Sequence, residues 1–204
     1  MQSLMPRLRI TRDDQTLQNP DELFPFKPEE IWLEIGFGGG EHLAYRAQQN
    51  PNIGFIGAEP FVNGVAKLLA SIDEQNIQNI RICDDDARYM LENLASESIA
   101  RAFVLYPDPW PKARHNKRRI ISAPFLSELA RVLKPKAEFL FASDIADYCD
   151  WTIEHILRNG QFDWLEQNAL LKGQAPETWP GTRYEAKALR EGRRPNYLRF
   201  YRKE

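Results

Sequence analysis

One short stretch of this sequence brings together a carboxylate, an indole and a run of prolines: Tyr106-Pro107-Asp108-Pro109-Trp110-Pro111. Three prolines within residues 107–111 fix backbone dihedrals and remove amide donors, so the loop is stiff before anything packs on it. A stiff loop presenting one acid and one aromatic ring can hold a planar base, by hydrogen bonds to its edge and stacking on its face. The plainer alternative is a rigid turn with Trp110 as core filler. Immediately after it, residues 112–119 read KARHNKRR, with five Lys/Arg, one His and no acid. Alone, such a run is usually a solvated face. At the rim of a base-holding loop it becomes a candidate phosphate contact, with an affinity that falls steeply with salt.

A second group of residues suits a nucleoside. Glu34-Ile35-Gly36-Phe37-Gly38-Gly39-Gly40 ends an apolar run and feeds a helical pattern. Glycines there let backbone amides approach a ligand closely, although a tight strand-to-helix turn without a ligand uses them too. Glu41 stands where the GxGxxG dinucleotide fingerprint has its last glycine; an acid at the pyrophosphate position disfavours NAD. S-adenosylmethionine has no phosphate and carries a positive sulfonium, so Gly36 and Gly38 beside an acid such as Glu34 suit it better. Glu59 comes 25 residues after Glu34, at the end of the next apolar run, where its two oxygens can accept from both ribose hydroxyls. Asp86 follows the third run and can accept from an adenine amino group; its neighbours Asp84 and Asp85 read equally well as a solvated acidic loop.

These residues are useful only if a scaffold sets them along one edge. From Ile31 short apolar runs alternate with helical patterns: IWLEIG and a helix from about residue 40, IGFIGAE and a helix at about 61–75, IRIC and a short helix after Asp86. ARAFVLY leads through the proline loop to a helix at about 122–133, and AEFLFAS to one at about 145–159. The alternation predicts an α/β fold, a parallel sheet with helices on both faces. FDWLE and NYLRFYRK are expected as closing strands, with a Gly/Pro-rich loop at 173–182 between them. In such sheets ligands sit beyond the carboxyl ends of the strands, where Glu59, Asp86 and Asp108 fall.

A chain of 204 residues suits one domain, expected to span 1–204 with an N-terminal arm at 1–30. No apolar run approaches the roughly 18 residues of a membrane span, and the first residues lack the apolar core of a signal peptide, so no membrane partner and a cytoplasmic location are expected. Cys83 and Cys149 lie in apolar surroundings without metal-ligand spacing; buried free thiols and no metal are expected. A net charge of −2 argues against a nucleic-acid binder, but it averages over an uneven chain: residues 183–203 carry eight Lys/Arg against two acids, while acids gather at 84–86 and 144–150.

The Pro107-Asp108-Pro109-Trp110-Pro111-Lys112 run leads into His115-Asn116-Lys117-Arg118-Arg119, with Glu59 ahead of it, Ser143-Asp144 after the fifth run, and Thr182-Arg183-Tyr184-Glu185 after the Gly/Pro loop. In motif order and spacing the chain from Glu34 onward resembles the tRNA (guanine-N7-)-methyltransferase family of bacterial type. The proline loop is also similar to the Asp/Asn-Pro-Pro-aromatic motif of methyltransferases that act on nucleobase nitrogens. The resemblance implies a Rossmann-like class I S-adenosylmethionine-dependent methyltransferase fold, a mostly parallel seven-stranded sheet with an antiparallel last strand. It implies S-adenosyl-L-methionine as cofactor and tRNA as partner, methylated on N7 of the variable-loop guanine at tRNA position 46. By the same resemblance Glu34, Glu59, Asp86 and Asp108 are cofactor-pocket residues, Asp108 being also catalytic. Lys112, Asp144, Thr182, Arg183, Tyr184 and Glu185 are substrate contacts, and Arg114, His115, Asn116, Lys117, Arg118 and Arg119 an RNA-binding segment. Members often carry a longer basic N-terminal extension; here Arg7, Arg9 and Arg12 stand in that region. Monomer and homodimer stay equally open.

Guanine N7 has an in-plane lone pair and no proton, so it can attack a methyl group without a general base, and catalysis is mostly positioning. The purine gains positive charge as it reacts. A carboxylate nearby stabilises that charge and can also accept from N1–H and the 2-amino group, a part expected of Asp108 with Asp144 or Glu185. His115 is expected at a phosphate or stacking contact and His155 on a helix surface, while Trp179 suits a lid and a packed-down side chain equally. Two other readings stay open: methylation of another RNA or of a small molecule, and an RNA-binding module without catalysis.

Overall fold

A computed structural model of the chain describes residues 4–11, 14–164, 175–176 and 178–204. Its strands are β1 Glu30–Ile35, β2 Ile53–Ala58, β3 Ile80–Cys83, β4 Ile99–Leu105, β5 Leu133–Ser143, β6 Phe162–Trp164 and β7 Asn196–Arg202. Its helices are α1 Met5–Leu8, α2 Glu41–Gln49, α3 Val62–Gln75, α4 Ala87–Asn93, α5 Ala123–Val132, α6 Ala146–Asn159 and α7 Arg183–Arg190. One sheet holds all seven strands in the order β3-β2-β1-β4-β5-β7-β6. Strands β1 to β5 are parallel, and β7 runs antiparallel to both β5 and β6. The fold class expected from the sequence is therefore the one observed, down to the antiparallel last strand. Leu165 and Glu166 of FDWLE, and residues 173, 174 and 177 of the Gly/Pro loop, lie outside the described residues.

The two-residue period of the strands sorts their side chains onto two faces. Ile31, Leu33 and Ile35 of β1, Val104 of β4 and Phe139 and Phe141 of β5 join one core with Met90 of α4, Phe125 of α5 and Tyr148 of α6. Trp32, Phe103, Leu105 and Leu140 join a second core with Leu43 of α2 and Leu68 of α3. Both faces of the sheet are thus covered, which is why its strands read as near-continuous apolar runs. The same alternation puts Glu34 on the side of Trp32, toward α2. Both cysteines are buried thiols that form no disulfide. No helix among the described residues is long and apolar enough to cross a membrane.

Three segments form structure that apolar periodicity did not announce. The basic run winds into a 3₁₀ helix at Ala113–Arg118. The C-terminal basic stretch starts with α7, whose first turn is capped by the Thr182 hydroxyl accepting from the Glu185 amide at 3.1 Å. Near the N-terminus the Ile10 amide donates to the Ile82 carbonyl at 2.8 Å, and Arg9 pairs with Asp84 at 2.8 Å, so this part of the arm lies along the free edge of β3.

The glycine loop is held against α3 by a contact that leaves no room for a side chain. A Cβ on Gly64 of α3 would stand 2.2 Å from the Gly38 carbonyl oxygen. Gly64→Ala should therefore push α3 off the loop and lower stability by about 1–3 kcal/mol, the usual range for overpacking and here toward its upper end because the obstacle is backbone. Urea denaturation measures this; a loss below about 0.5 kcal/mol, the scale of an ordinary surface change, would show that the loop yields freely.

Candidate active site

The carboxyl ends of β1, β2 and β4 and the start of α4 open on a cavity of about 370 Å³ whose lining includes Gly36, Gly38, Glu59, Asp86, Tyr106, Asp108, Trp110, Arg118 and Tyr184. Gly36, Gly38 and Gly40 take φ of 72°, 58° and 78°, left-handed conformations that let the loop turn tightly from β1 into α2. Glu59, 5% exposed, ties this loop to the end of β2: it accepts from the Gly38 amide at 2.8 Å and from the Phe61 amide at 3.0 Å. Burial raises its pKa, and these two amide bonds oppose the rise. Asp86 caps α4 through the Arg88 amide at 3.0 Å and also grips the Arg88 guanidinium, which lowers its pKa. Three acids, Glu59, Asp86 and Asp108, thus line one cavity. That lining suits a nucleoside offering hydroxyl and amino donors.

The proline loop crosses the mouth of this cavity under strain. Tyr106 and Trp110, at φ of 50° and 43°, bracket Pro107-Asp108-Pro109 in a region that costs side-chain-bearing residues about 1–3 kcal/mol each. Such a shape persists only where neighbours over-determine it. The Tyr106 amide donates to the Ala142 carbonyl at 2.7 Å, and its hydroxyl meets that of Tyr197 at 3.3 Å. The Asn116 side chain, with its amide nitrogen turned to satisfy both acceptors, donates to the carbonyls of Trp110 at 3.0 Å and Lys112 at 3.2 Å. Asp108 itself is exposed at the mouth.

Arg119 corrects the expectation that residues 114–119 form one RNA-binding surface. It is 2% exposed; its Nε donates to the Pro109 carbonyl at 2.9 Å, its Nη2 to Asp147 of α6, and its guanidinium lies 4.7 Å from the Tyr148 ring and 5.1 Å from the Trp151 ring. A charge so enclosed is a strut beneath the loop and meets no phosphate. Arg114, Lys117 and Arg118 do present their charges at the surface, Arg118 with its guanidinium 4.8 Å over the Trp110 ring. His115 is half-buried, edge-on to Trp110 at 6.1 Å.

The other expected residues divide. Tyr184 reaches the main cavity, and a Cβ on Gly38 would meet its ring at 2.9 Å, so α7 closes down directly on the glycine loop. Glu34 lies outside that cavity, in a narrow recess it shares with His42, Thr182 and Tyr184, and its carboxylate accepts a hydrogen bond from His42 Nδ1 at 2.6 Å. Asp144 is held by Arg193, Glu185 accepts from the Trp179 indole, Arg183 extends toward Glu41 at 3.8 Å, and Lys112 is exposed. Trp179 packs down, 4.9 Å from the His42 ring and 5.2 Å from that of Tyr197. His155 stacks on Trp151 at 4.2 Å. The sequence assigned no role to His42, Tyr106 or Tyr197, although Tyr106 opens the proline motif; only their meeting in space marks them.

A family described as "Putative methyltransferase" matches residues 28–197. A tRNA (guanine-N(7)-)-methyltransferase of Agrobacterium fabrum is 51% identical over 100% of this chain and 88% of its own. One from Brucella anthropi is 48% identical over 99% of this chain and 87% of its own. Among solved structures, the 16S rRNA methyltransferase KamB is similar at a TM-score of 0.59 and 17% identity, covering 93% of this chain and 92% of that one. The aminoglycoside resistance methyltransferase NpmB1 matches at 0.52 and 17%, covering 86% and 88%. At these identities the likeness is one of fold.

The strut has a measurable consequence. Arg119→Lys keeps the charge but loses the fork that reaches Pro109 and the flat face between two rings, and should lower stability by about 1–3 kcal/mol. Arg118→Gln should stay within about 0.5 kcal/mol of the parent in the same urea titration. Equal effects of the two would contradict the distinction.

Proposed function

The chain belongs to the tRNA (guanine-N(7)-)-methyltransferase family, and from that membership we propose that its cavity transfers a methyl group from S-adenosyl-L-methionine to N7 of the variable-loop guanine of tRNA. One observation carries the reading: three strand-end carboxylates line a cavity whose mouth is formed by Asp108 and Trp110 and runs directly into exposed Arg114, Lys117 and Arg118. The residues present fit the cofactor. Each oxygen of Glu59 keeps a lone pair beyond its amide bond, enough to accept a ribose hydroxyl, and Asp86 can exchange Arg88 for an adenine amino group. When bound, the cofactor supplies an electrophilic methyl on a positive sulfur. Glu34 is proposed to act on that side indirectly, as the acceptor that holds His42 beneath the glycine loop.

The protein's task is then to place guanine. Trp110 and Tyr184 offer aromatic surfaces at the mouth, and Asp108 offers a carboxylate to the N1–H and 2-amino edge. N7 needs no base, so the same carboxylate is free to stabilise the positive charge that the purine acquires. Arg114, Lys117 and Arg118 supply phosphate contacts, with Lys112 beside them. Asp144 and Glu185, engaged with Arg193 and Trp179, position α7 and the loop before it.

Asp108→Ala should lower turnover at saturating tRNA by about a hundredfold or more, the scale of a lost transition-state contact, with cofactor affinity changed far less. Methylation of purified tRNA with mapping of the modified base tests this and the substrate together; wild-type turnover by the variant would remove Asp108 from the chemistry, and methylation elsewhere would overturn the N7 assignment. Glu59 predicts a pH dependence. Accepting ribose hydroxyls requires its ionised form, and burial raises its pKa, so cofactor affinity should be full above that raised value and fall as the pH drops through it, at a higher pH than for an ordinary glutamate. The folding term has the opposite sign: a carboxylate whose folded pKa is raised contributes stability below its unfolded pKa and loses it as the pH rises through the folded value. Calorimetric cofactor titrations from neutral pH into the carboxylate range should therefore weaken while the fold holds, and a flat profile would place the ribose elsewhere.

A further inference from the structure

On the α2 face of the sheet a second cavity, about 220 Å³ in volume, shares no lining residue with the first. Its walls bring together Arg46 of α2, Arg101 of β4, Glu138 of β5 and Arg199 of β7, with Thr178 at one end. Glu138 is already shared: Arg101 reaches one of its oxygens at 2.9 Å and Arg199 the other at 3.7 Å. Arg101 is also seated on the Trp32 ring at 4.6 Å, which fixes the plane of its guanidinium.

Arg46 is the anomaly. It is 9% exposed, yet its hydrogen bonds go to neutral groups, from Nε to His42 Nε2 at 3.2 Å and from Nη1 to Thr178 Oγ1 at 3.3 Å. Because His42 Nε2 accepts from Arg46, the ring is neutral and its Nδ1–H donates to Glu34, so that acid is one imidazole removed from the guanidinium. No carboxylate among the described residues forms an ion pair with Arg46. Arginine is almost never buried without one, since an unpaired charge loses its hydration without return. Burial, and after it the charge of Arg101, lower the Arg46 pKa, as expected of cations gathered beyond their counter-ions.

We propose that this cavity binds a phosphate group. Among the described residues that line it, three guanidinium forks around one carboxylate leave an excess of two positive charges, and a phosphate has the charge and the several acceptor oxygens to satisfy them. It is supplied either by the backbone of a bound RNA or as free phosphate. The first source is within reach: Arg101 of β4 and Tyr106, just past its end, are five residues apart, about 16 Å at the rise of a strand. The binding itself does not depend on the methyltransferase reading.

The test compares wild type with Arg46→Gln and Arg199→Gln, the second a partly exposed rim residue whose loss spares the core. Thermal unfolding is followed in inorganic phosphate and in chloride of equal ionic strength, and tRNA binding is followed against salt. Arg158→Gln serves as control, since Arg158 is exposed on α6 and pairs with Glu154. Phosphate should raise the wild-type melting temperature and lose that effect in both variants. If RNA is the source, each variant should also lower the slope of log affinity against log salt by about 0.7 to 0.9 relative to the control. Loss of phosphate stabilisation with an unchanged slope identifies free phosphate. A phosphate response equal in all the proteins, together with slopes no lower than that of the control, overturns the proposal and leaves a structural ion network. Failure of tRNA methylation with retained phosphate stabilisation would count against the proposed function alone.

Discussion

The larger cavity of this molecule hangs on one buried carboxylate. Glu59 joins the end of β2 to the glycine loop after β1 through the Gly38 amide and turns the chain into α3 through the Phe61 amide. An acid in that position gives up much of its hydration, and two charge-assisted amide bonds replace only part of it. In return both oxygens are oriented before any ligand arrives. The rest follows from where Gly38 is held: α3 can approach because Gly64 has no side chain, and α7 can close because Gly38 has none.

A second dependence runs through the basic segment. A count of charge along 112–119 describes a uniform patch, yet the chain divides it by direction. Arg119 turns inward and supports the Pro109 carbonyl, while Arg118 turns outward over the Trp110 ring. The loop that presents Asp108 is therefore fixed from below by a cation and framed from above by another, while the strained backbone at Tyr106 and Trp110 is held by the Ala142 carbonyl and the Asn116 side chain.

Much of this was legible in the sequence, for identifiable reasons. The strands are long apolar runs because both sheet faces are covered, and their ends are marked by Glu59, Asp86 and Asp108, whose placement after a strand is topological. Direction was not legible. Arg119 points inward because Asp147, Tyr148 and Trp151 of α6 meet it, and Glu34 turns from the main cavity because His42 stands across from it on α2. The helix α7 escaped notice because it is short, rich in charge and buries only Ala188, although Thr182 and Glu185 have the spacing of a capping pair.

The alternation of β4 has a consequence for how such a chain can vary in length. Val104 faces one core while Phe103 faces the other, on the side of Arg101 and its cavity. Inserting or deleting a single residue in this strand would exchange its two faces, turning Arg101 and its neighbours to the wrong side while shifting Tyr106 and the proline loop along the edge. Length differences among related chains should therefore collect in the connections, where they leave both chambers intact, and be excluded from the few central residues that form a wall common to the two.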